Sequence, residues 1–311
     1  MRMSRLTVST FSASLSVSED ELPGLRGNLE GFLDLHIHLA PDQVLRTHDD
    51  VQFAEQARKI GYRGFLMKDH YSMTAARAYD VSKMFGGLAV GGGIVLNRAV
   101  GGLNPDAVEA ALKVGAKEVW MPTFDSVNHF RFFGMFSLPG LIPVREVKRN
   151  LVPFAGISLL GPEGRINDQV LEILDMVADA GAIIGTGHVS LDEIRGLVDA
   201  GRKAGVKKML VTHPEFQATS WPASAQAELA GRGAMIEHCA NANYDAEQTA
   251  QNIRAVGADR CVLSSDSGQV KKGHPAVYMS RFVKDLMVCG ITEKEIRKMM
   301  VENPAKLMGV D

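Results

Sequence analysis

Histidine is the residue type in this chain best suited to metal chemistry, because neutral imidazole is the commonest ligand that proteins offer to transition metals. Each histidine ends a strand-like apolar run or follows one closely, and none is expected inside a helix. If these runs are parallel strands of one barrel, their carboxyl ends open on one face and gather the rings there. The nine are His36, His38, His48, His70, His129, His188, His213, His238 and His274.

The first apolar run carries two of these rings, in the sequence Asp34-Leu35-His36-Ile37-His38. Alternate residues of a strand point to the same face, so His36 and His38 are expected to project together into the barrel mouth and share one metal. Asp34 would lie deeper on that face, where its carboxylate could orient an imidazole. Two histidines at this spacing are weak evidence by themselves.

Three further ligand-type side chains end later runs. His188 follows Gly-Thr-Gly, His213 lies in Val-Thr-His-Pro, and Asp266 lies in Leu-Ser-Ser-Asp-Ser-Gly. Together with the first two histidines they make four imidazoles and one carboxylate, a set that suits zinc and similar divalent ions. The sequence therefore predicts a metal site where several strands end.

Eight short apolar runs are expected to be the strands that position these residues. Most are nearly continuous in apolar residues, as strands buried on both faces of a parallel sheet are. The number of residues between the starts of the fourth and fifth runs is roughly twice that between other consecutive runs. Each of the other intervals fits one strand and one helix. Eight such units predict a (β/α)8 TIM barrel, with an open doubly wound sheet as the alternative. The runs are 32–38, 61–70, 88–97, 117–122, 182–188, 207–213, 233–238 and 259–266.

Helix boundary signals separate the runs. Asn104-Pro105 predicts a capping residue followed by a proline in the first turn. Ser190 with Glu193, and Thr292 with Glu295, have the spacing of a capping box. Asn167 and Asp245 are further candidate N-caps. Glycines before most strands predict left-handed helix ends, at Gly61, Gly115, Gly181, Gly205, Gly231 and Gly257.

The long interval between the fourth and fifth runs indicates an insertion at about 125–165, on the face where barrels of this kind form active sites. Residues 31–311 are expected to be the barrel, and residues 1–30 an extension outside it, either a short strand or a flexible arm. Two interpretations of the insertion stay open: a lid over an apolar or aromatic substrate, and packing on the barrel or a neighbouring subunit. Its phenylalanines are Phe124, Phe130, Phe132, Phe133 and Phe136.

Composition excludes several classes of partner. The chain of 311 residues is 46% hydrophobic and 23% charged, as soluble domains are, with a net charge of -2. That charge predicts neither nucleic-acid nor membrane binding, and no apolar run reaches the roughly 18 residues of a membrane span. Three cysteines without CxxC spacing favour a reducing compartment, so we expect a cytoplasmic protein. Association into a homo-oligomer is an open expectation.

The combination of motifs resembles the amidohydrolase superfamily over roughly residues 31–311. The pattern is HxH on strand one, histidine on strands five and six, and aspartate on strand eight. The closing segment 303–309, NPAKLMG, is similar to an NPAxxxG segment common in that superfamily. DLHIHLAPD, GFLMKDHY and MPTFDSVNHF resemble a branch described only as metal-dependent hydrolases.

The resemblance implies roles for the candidate ligands. His36, His38 and Asp266 would hold a first metal. His188 and His213 would hold a second, or orient water and substrate if only one ion binds. Asp266 would also be the catalytic proton shuttle, from the attacking water to the leaving group. Zinc is the expected ion, one or two per chain, with manganese or iron as alternatives.

One position departs from the superfamily pattern. Two-metal members often bridge their ions with a carboxylated lysine or a glutamate from strand four, and here that strand ends Trp120-Met121-Pro122-Thr123. Lys68, which ends strand two, is the available substitute, since burial would depress its amine pKa and make carboxylation feasible. The alternative is that its ammonium binds an anionic group of the substrate.

Other polar residues near strand ends are candidate substrate contacts. Arg98 and Arg46 could clamp a carboxylate or phosphate. His70 could be a ligand, a substrate contact or a structural residue. Glu237 or His238 could bind substrate, and only one of them can face the mouth of a regular strand. The loop histidines 48, 129 and 274 are expected to be solvated.

The predicted function is a metal-dependent hydrolase that uses activated water to cleave an amide, lactam, lactone or ester bond of a small molecule. A phosphoesterase of the histidinol-phosphatase type is an alternative, although strand three ends Asn97-Arg98 rather than in an acidic ligand. A metal-dependent decarboxylase or deaminase is another, because fold and metal do not determine the reaction. A catalytically silent metal-binding barrel is the alternative of a different class.

Overall fold

The computed structural model describes residues 17–145, 147, 154–240 and 244–310. The predicted extension up to residue 16, and positions 146 and 148–153 of the predicted insertion, lie outside the described residues. Across the described ranges the chain forms eight strands, β1 to β8. They are Leu33–Ile37, Gly64–Met67, Ala89–Val95, Glu118–Trp120, Ile183–Gly185, Lys208–Val211, Met235–Cys239 and Cys261–Ser264.

All seven successive pairings are parallel, in the order β1 to β8, which is the predicted (β/α)8 TIM barrel. The residues that follow β8 close the barrel onto β1 and the residue after it through backbone hydrogen bonds. Asp266 N–H donates to His36 O over 2.8 Å, and His38 N–H donates to Ser267 O over 2.9 Å. Closure of the barrel therefore places the candidate ligands of β1 beside Asp266.

Helices alternate with the strands and cover the outside of the barrel. Those before the fourth strand are α1 to α4, at Leu22–Leu29, Asp50–Ile60, Ala75–Met84 and Pro105–Lys113. Then come α5 to α9, at Val127–Phe133, Asp168–Ala180, Leu191–Ala204, Ala223–Gly231 and Ala246–Val256. The last three, α10 to α12, are Pro275–Val288, Glu293–Arg297 and Asn303–Met308.

The predicted N-caps are confirmed. Asn104, Asn167 and Asp245 accept backbone hydrogen bonds at helix starts, and Ser190 and Thr292 form complete capping boxes. The glycine prediction holds in part. Gly61, Gly181 and Gly205 cap their helices in the left-handed conformation, as predicted. Gly115 lies one residue beyond its helix cap, Gly231 is the last residue of α8, and Gly257 has an extended ψ of 133°.

Two apolar layers hold the barrel together. The larger one lies between the strands and the helices, as expected for strands covered on both faces. The smaller one fills the amino-terminal half of the barrel interior and is closed by α12. Its fully buried members include Leu33, Leu35, Leu66, Val95, Trp120, Ile183, Leu210 and Val262. The carboxyl-terminal half of the interior is polar, and that half holds the site.

Helix α1 lies within the predicted N-terminal extension, but it packs on the barrel. Leu25 and Leu29 are buried in the outer apolar layer, and α1 contacts α2 and α10. The expectation of an extension outside the main fold is therefore wrong for this helix. Apolar side chains at this spacing on a helix favour burial against a partner.

Candidate metal centre

A bulge in β1 turns His36 into the barrel. The pairing with β2 shifts between Asp34, opposite Phe65, and Ile37, opposite Met67, so three steps on β1 match two on β2. Leu33 and Leu35 face the interior, and strict alternation would send the next even-numbered side chain outward. The extra residue reverses this alternation, as bulges near sites often do.

The same bulge corrects the role predicted for Asp34. Its carboxylate does not orient an imidazole. Instead, Oδ1 accepts the backbone N–H of His36 over 3.1 Å and that of Ser265 over 3.0 Å. Asp34 is fully buried, and burial raises its pKa to about 6. Its contacts fasten the bulge of β1 to the residues that follow β8.

His36, His38 and Asp266 converge on one point. The Nε2 atoms of His36 and His38 lie 3.2 and 3.3 Å from the same oxygen, Oδ1 of Asp266. The other nitrogen of His36, Nδ1, lies 3.2 Å from Oε2 of Glu237, so a neutral His36 carries its proton there. Its Nε2 lone pair then faces a carboxylate oxygen, and either a proton or a cation between these two acceptors would remove their repulsion. A divalent ion fits this donor set.

Glu237 takes a different place from the predicted substrate contact. It lies inside the barrel against Nδ1 of His36, as carboxylates that orient metal-ligating histidines do. Cys239 Sγ lies 3.8 Å from the same nitrogen. His36, Glu237 and Cys239 thus form a second group whose ligand atoms lie within 4.8 Å of one another.

Lys68 is buried beside this group. Its Nζ lies 3.1 Å from Nε2 of His36 and 5.3 Å from the ring centre of Trp120. Burial lowers the pKa of Lys68, while the charges of Asp266, Glu237 and Glu118 act in the opposite direction. A divalent ion at the neighbouring site would also oppose the charged amine, so the ammonium and the carboxylated bridge both stay predictions.

Glu118 is a functional candidate that the sequence did not reveal, because it begins β4 rather than ending it. It is fully buried on the face of β4 that Trp120 shares, and neither carboxylate oxygen has a hydrogen-bond partner among the described residues. Burial and the nearby Glu237 raise its pKa well above the usual range. A side chain at Gly185 would collide with Glu118 and Trp120, so glycine leaves room for them.

His188 and His213 reach the mouth through left-handed backbone. Met209 and Val211 face the outer layer, so strict alternation would send His213 outward too. Its φ of 28° breaks that alternation, and Gly187, with φ of 60°, does the same before His188. Asp266 also has a positive φ, 44°. Such angles are rare without glycine, and they concentrate at functional sites.

The His188 and His213 rings lie beside the group formed by His36, His38 and Asp266. The ring centres of His188 and His213 are 5.0 Å apart, and those of His213 and His36 are 5.7 Å apart. Burial lowers the pKa of His213 to about 4 and the pKa values of His38 and His188 well below the usual range. At neutral pH these imidazoles are therefore uncharged, which is the form that binds metals. For Asp266 burial opposes ionisation, but His36 and His38 hold its pKa well below the usual range.

His70 lies at the edge of this cluster. Its Nδ1 is 2.8 Å from the Thr123 hydroxyl, and its ring stacks on Phe124 and on His38 with ring centres 3.8 and 4.8 Å away. These contacts hold the His70 ring beside the site. Contact between His70 and a substrate stays a prediction.

The structure corrects the expectation of three solvated loop histidines. His48, His129 and His274 are all buried. His129 lies within α5, which also contradicts the expectation that no histidine is helical. The His48 and His274 rings meet edge to face, and Nδ1 of His274 accepts the backbone N–H of Ala276 to cap α10.

His238 faces away from the mouth, on the opposite side of β7 from Glu237. Its Nδ1 lies 2.8 Å from Oε1 of Glu215, and its Nε2 lies 3.4 Å from Sγ of Cys261 in the outer layer. Burial alone would lower its pKa, but Glu215 and Cys261 outweigh this and raise the pKa to about 10. His238 is thus placed as a structural residue rather than the predicted substrate contact.

The two candidate arginine clamps differ in placement. The Arg46 guanidinium is buried and bound to the Asp42 carboxylate, with Nη2 to Oδ2 at 2.6 Å. Its charge is near enough to lower the pKa values of His38 and His70. The Arg98 guanidinium lies 4.1 Å from the ring centre of Phe154 in the insertion, and its backbone N–H binds Asp125. Arg98 therefore contacts the insertion rather than the metal cluster.

A cleft of about 740 Å³ opens between the loop after β1 and the insertion. Its lining includes Asp42, which holds Arg46, and Tyr71, which follows His70. The insertion also packs on the barrel: Phe124 is buried against His70 and His188, and Phe133 contacts Phe216. The rest of the cleft lining is Gln43, Val44, Ser137, Leu138, Leu141, Pro143, Val144, Arg145 and Val147.

The fold and the site define a (β/α)8 barrel with a candidate centre for a divalent metal at the carboxyl ends of its strands. The chain belongs to the family of unknown function DUF6282, whose model matches residues 31–237. A search of curated proteins finds no match. No helix among the described residues is long and apolar enough to cross a bilayer.

Solved structures share the fold across nearly the whole chain. One described as a putative 2-pyrone-4,6-dicarboxylic acid hydrolase from Pseudomonas putida has a TM-score of 0.56 and 12% identity, covering 90% of this chain and 97% of its own. A 2,6-dihydroxybenzoate decarboxylase from Rhizobium has a TM-score of 0.54 and 11% identity, covering 90% and 99%. An amidohydrolase from Pseudomonas aeruginosa has a TM-score of 0.55 and 12% identity, covering 94% and 98%. These neighbours confirm the predicted (β/α)8 barrel, and one of the three is described as an amidohydrolase.

Proposed function

We propose that this protein is a metal-dependent hydrolase of small molecules. The observation that carries the proposal is the convergence of two imidazole nitrogens, from His36 and His38, on one oxygen of Asp266. His188 and His213 lie beside this group, neutral at neutral pH and able to hold a second ion or to orient water and substrate. Zinc suits the mixture of imidazole and carboxylate donors, with manganese or iron as alternatives.

The residues divide the work of hydrolysis. A divalent ion at this site would lower the pKa of a coordinated water and polarise the substrate carbonyl. Asp266, whose side chain remains 15% exposed, accepts the proton of the attacking water and returns it to the leaving group. Glu237 accepts a hydrogen bond from Nδ1 of His36, which leaves the lone pair of the ring on Nε2, the nitrogen that faces both Asp266 and Lys68.

The proposed substrate is a small molecule with an amide, lactam, lactone or ester bond. None of the five candidate ligands lines the cleft, and Tyr71, which follows His70, is the lining residue that connects it to the site. In the proposal, substrate reaches the site from this cleft, of which the insertion forms one wall. Lys68 supplies a positive charge beside His36, which would attract a carbonyl or carboxylate oxygen close to the reacting bond.

A decarboxylase is the second candidate, favoured by cations around Asp266. Besides Lys68, the half-buried Lys272 lies near enough to Asp266 for the carboxylate to raise its amine pKa, although burial lowers it overall. Lysine side chains that interact with Asp266 would suit a substrate that carries a carboxylate. A solved neighbour is a decarboxylase of 2,6-dihydroxybenzoate, which makes that compound a suitable probe.

The variant Asp266→Asn tests the hydrolase proposal. Zinc-loaded wild-type protein is assayed on panels of lactones, amides, carboxylic esters and phosphoesters, with 2,6-dihydroxybenzoate as the decarboxylation probe. We expect hydrolysis of a carbonyl substrate, and a fall of about 100-fold or more in kcat for the variant, because proton transfer supplies that much. Metal content is measured in parallel, since the amide oxygen of the introduced asparagine can still bind an ion.

Several outcomes would contradict the proposal. Turnover that survives in the variant at unchanged metal content removes Asp266 as the proton shuttle. Release of carbon dioxide from 2,6-dihydroxybenzoate without any hydrolysis makes the protein a decarboxylase. Phosphoester cleavage alone makes it a phosphoesterase. Bound metal without any turnover makes it a silent metal-binding barrel.

A further inference from the structure

A chain of hydrogen bonds runs from the insertion to His188. Nε2 of His129 lies 2.9 Å from the backbone oxygen of Ser137, and Nδ1 of His129 lies 3.0 Å from Nδ1 of His188. His129 belongs to α5 within the insertion, and Ser137 lines the cleft. The proposed hydrolase does not use His129, so this arrangement calls for a separate explanation.

This chain of hydrogen bonds determines which nitrogen of each imidazole ring carries the hydrogen. The Ser137 carbonyl can only accept, so Nε2 of His129 carries a hydrogen. Nδ1 of His129 and Nδ1 of His188 lie 3.0 Å apart, so one of them donates and the other accepts. In a neutral His129 ring whose hydrogen is on Nε2, Nδ1 holds the lone pair. His188 must then donate from its own Nδ1. Its other nitrogen, Nε2, keeps a lone pair, and that is the atom a metal would require.

Residues of the insertion also form hydrogen bonds with the backbone carbonyl of His188. Oγ of Ser126, the N-cap of α5, donates to the His188 carbonyl over 3.0 Å and accepts the backbone N–H of His129. The Asn128 side chain donates to the same carbonyl over 3.0 Å and to the Ala218 carbonyl over 2.8 Å. His188 is therefore held at its ring and at its backbone by closely spaced residues at the start of one short helix.

We propose that His129 is a positioning residue that locks His188 in the tautomer with a free Nε2, and that the insertion is thereby an integral part of the metal centre. Carboxylates and carbonyls usually orient metal-ligating histidines, and here a second imidazole does so. The proposal rests on the proposed metal site, and it adds a role for a segment otherwise expected only to cover substrate.

The first test needs no metal and no substrate. Nitrogen-15 NMR of histidine-labelled, metal-free protein distinguishes the two neutral tautomers of each ring. We expect His188 protonated at Nδ1 and His129 protonated at Nε2. A His188 ring protonated at Nε2 would overturn the proposal, since Nδ1 would then have no hydrogen to donate to His129 and Nε2 no lone pair for a metal.

Two variants of His129 form the second test. In His129→Asn the amide oxygen replaces Nδ1 as the acceptor, whereas His129→Leu offers none. We expect zinc affinity, and the visible spectrum of the cobalt form, to change in the leucine variant, with a loss of about 10- to 100-fold in affinity. The asparagine variant should recover most of this loss. Phe132→Leu, on the same helix with the original side chain 56% exposed, is the matched control.

The outcomes separate this inference from the proposed function. Unchanged affinity and spectrum in a folded His129→Leu protein would overturn the inference and leave the hydrolase proposal standing. Failure of the asparagine variant to recover, with the leucine variant folded, would indicate that His129 itself binds the metal and would also overturn the inference. Wild-type protein that binds no divalent ion would contradict the proposed function, while the tautomers would still test the lock.

Discussion

His36 connects the two halves of the candidate centre. One nitrogen faces Asp266 and Lys68, and the other faces Glu237 and Cys239. The ring can therefore hold a cation only while its proton stays on the side of Glu237. Metal binding at His36 therefore depends on the charged side chains around the ring as well as on the metal ligands themselves.

The variant Lys68→Ala tests whether a charged neighbour of the metal ligands contributes to the activity. In Lys68→Ala we expect the number of bound metal ions to be unchanged and kcat/KM to fall if Lys68 is an ammonium that binds an anionic group of the substrate. Metal analysis beside steady-state kinetics measures both, and Lys298→Ala, far out on the surface side of the barrel in an ion pair with Asp259, is the control. A drop from two ions to one would show instead that Lys68 bridges them.

Residue types at the site were accessible from the sequence, but their orientations were not. The five predicted ligands do come together around one mouth. Strand alternation gave the wrong role for Asp34, because the bulge in β1 follows from the packing of β1 against β2 and β8. Glu118 escaped notice since it begins a strand, and His129 because only the closed structure brings a helical residue of the insertion against β5.

Among the secondary-structure elements, the ends of strands are where the unusual φ angles of the site occur. β6 and β8 are followed by non-glycine residues of positive φ, His213 and Asp266. Glu215, two residues after His213, accepts hydrogen bonds from Asn252 and Gln226 and pairs with His238. These contacts join the loop after β6 to β7 and to two helices, which stabilises the left-handed turn at His213.

The pairing of His238 with Glu215 predicts a pH dependence of stability. The pKa of His238 is raised to about 10 in the folded protein, from an ordinary value of 6.5. The pairing therefore stabilises the fold fully below about pH 6.5, and this contribution is lost as the pH rises toward 10. In His238→Gln we expect the free energy of unfolding to vary less between pH 7 and 10, by on the order of 1–3 kcal/mol.

Urea denaturation at several pH values measures this dependence, with folding followed by circular dichroism. Lys203→Gln, on the exposed end of α7, serves as the charge control. An equally steep decline in the histidine variant would mean that His238 is neutral in the folded protein.

Helices and strands were easier to predict from the sequence than the orientations of the side chains at the site. All eight strands and the five helix N-caps came from local patterns, apolar runs and capping residues, that depend on near neighbours in the chain. The exceptions depend on distant contacts. Helix α5 lies in a segment rich in phenylalanine with no periodic pattern of its own, and it is held by the backbone of His188.

For the whole molecule, closure of the barrel and packing of α1 set the stability. Leu29 is completely buried between α1 and the barrel wall. In Leu29→Ala we expect the free energy of unfolding to fall by about 2–5 kcal/mol, because a cavity replaces buried methyl groups. Val288→Ala, at a position 87% exposed, should change it little. A thermal melt of both variants tests this, and equal melting temperatures would show that α1 adds nothing to the fold.

Barrel closure also restricts how the sequence can change over evolutionary time. Gly268, just past Asp266, has a φ of 127° and lies so close to the His38 carbonyl that any β-carbon would collide with that backbone atom. Every amino acid reachable from a glycine codon by one base change carries a β-carbon. A lineage that keeps this join between the first and last strands therefore has no neutral step away from glycine here, however freely its outer helices diverge.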